Sequence, residues 1–151
     1  MECLGGNGYV EEGILARHYR ESPVNAIWEG SGNVQALDLL RALSRSPAVL
    51  EVWFQELAGS RGANAALDRA VAGLKDQLRN PADAEFRARH LADQLALTMQ
   101  SHLLLQSGNG PVAEAFIASR LDSRGAGNYG TLAAGLDVGT LIQRAHPALS
   151  Q

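Results

Sequence analysis

Apolar residues recur along most of this chain at three- and four-residue intervals, the spacing of helices that bury one stripe. Asn33 can cap a helix carrying Ala36, Leu37, Leu40 and Leu43 on one face, with Asp38 and Arg41 at its margin. Ser46-Pro47 starts the next, a cap followed by proline at the first helical position, with Leu50, Trp53, Phe54 and Leu57 facing inward. After a break at 59–62, Leu67, Ala70, Val71, Leu74 and Leu78 mark a helix over about 63–78. Asn80-Pro81 repeats the cap-and-proline device, with Asp83 and Glu85 in the first turn. Leu91, Leu95, Thr98, Met99, His102 and Leu105 then extend this element to Ser107 as the longest helix. Gly108-Asn109-Gly110-Pro111 stops it and launches a helix with Val112, Ala115, Phe116 and Ser119 on one side. Residues 122–130 read as an exposed glycine-rich loop, and a last short helix begins after Asp137 and ends before Pro147. Ahead of all these, residues 11–20 read as a short helix with Ile14, Leu15 and His18 on its inner face, ended by Ser22-Pro23. Val, Ile and Thr never alternate in runs, so no strand is expected. The fold class is all-α, an antiparallel helical bundle.

Bulk properties narrow the function classes. A chain of 151 residues without repeats or linkers reads as one domain over 1–151 with a real core. A formal charge of -3 argues against a polyanion-binding module driven by net charge. No apolar run is long enough to cross a bilayer, and the start lacks the order of a signal peptide. The sole cysteine, Cys3, has no internal partner and reads as a small packed residue. These features together suggest a cytoplasmic protein. No pair of histidines stands at metal spacing, so no metal site is expected, and His18 and His102 read as solvated or packed side chains.

The chemistry-bearing stretch is Asn25-Ala26-Ile27-Trp28-Glu29-Gly30-Ser31-Gly32-Asn33. Ile27 and Trp28 can wall off water and so raise the affinity of a carboxylate for a proton, while Gly30 and Gly32 let backbone amides approach a ligand. A carboxylate tuned in that way suits proton abstraction, which makes Glu29 the candidate catalytic residue. From the stretch alone, a turn whose glutamate faces solvent fits as well. Gly5-Gly6-Asn7-Gly8 looks superficially like a dinucleotide fingerprint, but it has no preceding strand and the wrong glycine spacing. Its exposed amides could still meet a phosphate or an adenine edge, with Tyr9 packing to close the turn.

Taken together, the glycine turn after Glu2-Cys3-Leu4, the Arg17-His18-Tyr19-Arg20 segment and the Val24–Asn33 stretch resemble the C-terminal helical domain of the acyl-CoA dehydrogenase family. The resemblance is densest from Glu2 to about Leu43, with Leu121-Asp122-Ser123-Arg124-Gly125 adding to it further on, and it is closest to the branch that includes the DNA alkylation response flavoprotein of the adaptive response. It implies an FAD-dependent oxidoreductase in which Glu29 takes the α-proton of an acyl-CoA thioester while the β-hydride passes to the flavin. It implies further that Gly5, Gly6 and Gly8 touch an FAD bound mainly by a neighbouring subunit, in a homo-oligomer that the family builds as a tetramer. Ser31 and Asn33 match positions that contact the flavin side, although Ser-Gly-Asn here replaces the commoner Thr-Ser/Ala-Gln.

In the family this bundle follows an N-terminal helical domain and a β-rich middle domain, so the resemblance makes the chain a C-terminal fragment, a truncated frame or the partner of a separate chain. Two other readings stay open. One is a flavin-bearing DNA-associated stress protein with residual dehydrogenase activity, and the other is a non-catalytic helical oligomerisation module. The DNA reading needs a basic surface on the later helices. From Pro47 onward nine Arg and Lys face ten acids, and the cluster Arg79, Arg87 and Arg89 is interleaved with Asp76, Asp83 and Glu85, which reads as a salt-bridged, solvated face.

Overall fold

A computed structural model describes residues 1–80, 82–122 and 130–147. Among the described residues every regular element is helical, as expected for the all-α class. The α-helices are α1 (Ile14–Glu21), α2 (Gly32–Arg45), α3 (Pro47–Leu57), α4 (Ala65–Arg79), α5 (Ala88–Gln106), α6 (Gly110–Ile117) and α7 (Val138–Ala145). Tighter 3₁₀ segments at Glu2–Gly8, Ser22–Ala26 and Ala58–Ser60 connect them, and α6 runs on into a π-type turn at Ala118–Asp122.

Side-chain caps set several of the starts. Asn64 Oδ1 accepts from the amides of Ala66 (2.9 Å) and Leu67 (3.2 Å), Asn109 Oδ1 from Val112 (3.3 Å), and Asp137 Oδ1 from Thr140 (3.0 Å). Each satisfies amides that a first helical turn leaves without a partner. Helix α5 is the centre of the bundle, packed by α2, α3, α4 and α6. Its inward stripe of Leu91, Leu95, Thr98 and His102 is buried as the spacing predicts. Leu74 of α4 with Leu91 and Leu95 forms the core, enclosed by Leu39, Leu40 and Leu43 of α2 and Leu50, Trp53 and Phe54 of α3. Leu74 and Leu91 are each only 1% exposed, and burying a side chain of that size contributes about 1.5–3 kcal/mol. Trp53 and Phe54 meet edge to face at 5.0 Å, and Lys75 Nζ lies 4.9 Å over the Phe54 ring.

Three expectations are corrected. The helix expected to start at Asn80 is absent over residues 82–87. Asn80 Oδ1 instead accepts from the Ala82 amide at 3.0 Å, the chain passes through Asp83 at φ 55, and α5 begins only at Ala88. The Arg87 guanidinium makes this turn a stable alternative by donating to the carbonyls of Gln77 (3.4 Å), Asn80 (2.8 Å) and Ala82 (2.9 Å). The first helix begins at Ile14 rather than residue 11, and its expected inner face is not buried: Ile14 is 61% exposed and His18 is exposed, while Ala16 is buried. Glu11 lies before the helix and pairs with Arg20. Ser22 before Pro23 stays in the right-handed helical region (φ -53, ψ -38), with its hydroxyl donating to the His18 carbonyl at 2.6 Å, and the chain continues as the 3₁₀ segment Ser22–Ala26. The loop expected over 122–130 falls mostly outside the described residues.

Candidate functional site

Glu29 stands on a hydrogen-bonded turn that feeds directly into α2. The amides of Ile27 and Trp28 both donate to the Val24 carbonyl at 3.0 Å, and the Gly30 amide donates to the Ile27 carbonyl at 3.0 Å. Gly30 sits at φ 125, where a side chain would be strained. Gln35, one turn into α2, reaches back so that its Nε2 donates to the Gly30 carbonyl at 2.9 Å. The glutamate is thereby held at a fixed distance from a helix N-terminus. That terminus begins at Gly32, with Ser31 rather than Asn33 in the capping position, and the Ser31 side chain makes no capping hydrogen bond. Amides of the first turn of α2 are therefore not consumed by a side-chain cap.

The apolar residues beside Glu29 do not shield it within this chain. Ile27 is 61% and Trp28 68% exposed, and Glu29, Ser31 and Asn33 are exposed as well. The expected water-excluding wall would have to come from a surface packed over this one. Glu29 and Val34 open onto a groove of about 1430 Å³, walled by α2 on one side and by the end of α4 with the turn before α5 on the other.

At the other end of the N-terminal segment the three glycines divide by role. Gly5 lies at φ 55, and a Cβ on Gly5 or Gly6 would meet nothing within 4 Å, so their backbone is open to an approaching group. Gly8 is buried, and a Cβ there would stand 2.5 Å from the Met1 carbonyl oxygen, so this glycine lets the turn close on itself. Tyr9 is 69% exposed and Cys3 is exposed; neither packs as expected.

Two features had no local signal in the sequence. A Cβ on Gly32 would lie 3.2 Å from Arg89 Nη2 and 3.3 Å from its Cζ, so the Arg89 guanidinium of α5 rests closely against the start of α2 and would have to shift slightly for a larger residue. The second is a buried polar chain: Ser60 Oγ is 2.8 Å from His102 Nδ1, and His102 Nε2 is 3.2 Å from Glu56 Oε1. Ser60 and His102 are 3% and 2% exposed and do not line the groove beside Glu29, so this chain links the Ala58–Ser60 turn to α5 rather than reaching a substrate. Among the described residues no group of His, Cys, Asp and Glu could hold a metal ion, and no helix is long and apolar enough to cross a membrane.

Residues 1–44, the segment that holds both the glycine turn and the Glu29 turn, match the acyl-CoA dehydrogenase C-terminal domain. The chain is related to the acyl-CoA dehydrogenases. It is 43% identical over 125 residues to AidB of Escherichia coli strain K12, a match covering 83% of this chain and 23% of AidB. It is 29% identical over 124 residues to acyl-CoA dehydrogenase family member 11 of Caenorhabditis elegans, covering 70% of this chain and 20% of that protein. With the mitochondrial short-chain specific acyl-CoA dehydrogenase of Bos taurus it shares 41% identity over 46 residues, 30% of this chain and 11% of the enzyme. The chain thus spans about a fifth to a quarter of the first two relatives. A match of 125 residues must run well beyond residue 44, so the likeness to AidB takes in much of the bundle around α5 as well as the segment in the family domain.

Proposed function

We propose that this chain is the C-terminal portion of an FAD-dependent acyl-CoA dehydrogenase-type oxidoreductase, with Glu29 as the base that takes the α-proton of an acyl-CoA thioester. The observation that carries this reading is the turn itself: a carboxylate on a glycine-locked loop, riveted by Gln35, at the head of a helix whose first amides have no side-chain cap. A base must be held within reach of the proton it removes, and a hydrogen-bonded turn does that better than a free loop tip. Two groups of residues suit contacts to FAD. Gly5 and Gly6 present open backbone, and Ser31 and Asn33 present exposed polar side chains beside the α2 terminus, where a phosphate or a ring carbonyl can be bound. Gly8 shapes the same turn. When bound, the flavin supplies the hydride acceptor; the chain's residues hold the base, orient the cofactor edge and receive the proton.

Exposure of Ile27 and Trp28 fits a larger assembly. An uncovered pair of this size beside a catalytic carboxylate is the surface on which further domains and neighbouring subunits close to exclude water. The active form is accordingly a cytoplasmic homo-oligomer of a longer polypeptide or of this chain with a partner, and residues 1–151 act as one domain within it.

The alternative, a DNA-associated stress flavoprotein, rests on the same branch resemblance and gains nothing from the arginines that would have to serve it. Arg79 pairs with Asp76 at 3.3 Å, Arg87 is spent on three carbonyls, and Arg89 lies against Gly32. The deciding experiment substitutes this chain for the matching segment of AidB and measures flavin content after purification. A folded chimera that retains FAD, and loses it on Ser31→Ala with Asn33→Ala, is expected. A folded, oligomeric chimera without flavin would overturn the reading.

A further inference from the structure

Among the described residues the Glu29 carboxylate has no hydrogen bond or ion pair of its own. Its place is therefore set by the backbone that carries it. Gln35 grips that backbone twice: its amide donates to the Ser31 carbonyl at 3.1 Å, the first helical bond of α2, and its Nε2 donates to the Gly30 carbonyl at 2.9 Å. No other side chain among the described residues hydrogen-bonds to the backbone of residues 27–31. The reach follows from helix geometry. Side chains on a helix lean toward its N-terminus, so Gln35, the fourth residue of α2, lies over the residue just ahead of the cap. An apolar contact between those two positions fixes the angle at which a chain enters a helix. Here a hydrogen bond does so, and the glutamine stem follows the glycine closely enough that a Cβ on Gly30 would stand 3.8 Å from Gln35 Cγ. Glycine has the widest choice of backbone angles, so Gly30, directly after the base, is where the turn would swing most easily.

We propose that Gln35 is a positioning residue for Glu29, one that sets where the carboxylate stands without itself contacting substrate or flavin; this rests on Glu29 being the base assigned above. A reacting group has to be held within about 0.5 Å of its productive place, and an error of about 1 Å costs roughly 10²-fold in rate. With no partner on its own carboxylate, Glu29 depends on the Gly30 peptide for that precision. The two bonds from residue 35 also divide the work. The amide bond to Ser31 survives any substitution except proline, so the start of α2 and the Ser31 and Asn33 contacts proposed for flavin stay in place. The bond to Gly30 needs the side-chain donor, so its loss falls on Glu29. Gln35→Met separates the two, because methionine keeps an unbranched stem of similar length and the helix preference of glutamine but has no N–H to donate.

The test has two arms. In the 151-residue chain, hydrogen exchange followed by NMR should show the Gly30 amide, which donates to the Ile27 carbonyl at 3.0 Å, exchanging several-fold faster in Gln35→Met, with amides in the middle of α2 unchanged. The second arm uses the Bos taurus short-chain acyl-CoA dehydrogenase carrying residues 1–44 of this chain in place of its matching segment. There Gln35→Met should keep its flavin and its affinity for a short-chain acyl-CoA while the limiting rate of flavin bleaching falls about 10- to 100-fold. Unchanged exchange at Gly30, or bleaching at the rate of the unsubstituted graft, would overturn the proposal. So would a weakened affinity at an unchanged limiting rate, which would make Gln35 a ligand contact, or loss of flavin, which would make it a structural residue. Glu29→Gln in the same graft separates the two assignments: if it slows bleaching and Gln35→Met does not, only the role of Gln35 falls, and if neither slows it, the base is misassigned as well.

Discussion

Ser60→Ala removes one hydroxyl from the interior of the bundle and strands a histidine nitrogen. Ser60 Oγ is 2.8 Å from His102 Nδ1 and accepts from Gln106 Nε2 at 3.4 Å. With His102 2% exposed, no water reaches Nδ1 once a methyl group faces it, and an unmet buried polar group costs about 1–3 kcal/mol. Gln106 lies exposed and recovers a water partner, so it adds little. With a urea slope of about 2 kcal/mol/M for a chain of this size, the unfolding midpoint should fall by roughly 0.5–1.5 M. Glu56, whose side chain is 64% exposed, binds Nε2 across a partly solvated gap, so Glu56→Gln should cost less than about 0.5 kcal/mol. Replacing both inner partners, Ser60→Ala with His102→Leu, should recover part of the loss, because no polar atom is then left unmet. Urea denaturation followed by circular dichroism measures all four proteins. A Ser60→Ala chain as stable as the original, or a double variant no more stable than Ser60→Ala alone, would refute the buried-bridge account.

Other outcomes follow from the same geometry. Gly8→Ala places a Cβ 2.5 Å from the Met1 carbonyl oxygen, backbone against backbone, so the N-terminal turn should open; limited proteolysis before Ile14 should speed up while the urea midpoint stays put. Hydrogen bonds from the Thr140 hydroxyl and amide hold the Asp137 carboxyl below its ordinary range. A lowered folded value means the cap's contribution is present above the unfolded value and is lost as pH falls through the folded one, so the protection of the Thr140 amide, its exchange relative to the unstructured rate at the same pH, should fall on acidification below about pH 4. The isolated chain should purify without stoichiometric FAD and should not turn over acyl-CoA, as absorbance at flavin wavelengths will show. Any DNA binding seen at low salt should vanish at physiological ionic strength in an anisotropy titration, as expected for scattered phosphate contacts on an acidic chain.

The bundle was readable because its helices announce themselves locally. Leu91, Leu95, Thr98 and His102 keep one period through α5, and Asn109 and Asp137 stand just ahead of the helices they cap. Asn80-Pro81 offered the same signal as Ser46-Pro47 and gave a turn, because Arg87, seven residues on from Asn80, stabilises a competing backbone conformation that no local pattern displays. Helix α1 misled for the opposite reason: its Ile14 and Leu15 pattern is amphipathic, but within this chain it packs mainly on the following Ser22–Ala26 segment, and little of it is buried. The Glu29 turn was legible as a candidate from residue types alone. Its fixed geometry was not, since the rivet from Gln35 and the seat of Arg89 on Gly32 depend on side chains that only folding brings together.

Glu29 as the base is tested most directly by grafting residues 1–44 into the Bos taurus short-chain acyl-CoA dehydrogenase in place of its own matching segment, then following flavin bleaching by stopped flow on mixing with a short-chain acyl-CoA. The FAD-loaded graft should bleach, and Glu29→Gln in the same graft should retain its flavin and bleach on the order of 10²–10⁴-fold more slowly, the loss typical of a removed general base. Bleaching by Glu29→Gln at the rate of the Glu29 graft, or a Glu29 graft that holds flavin yet never bleaches, would contradict the assignment.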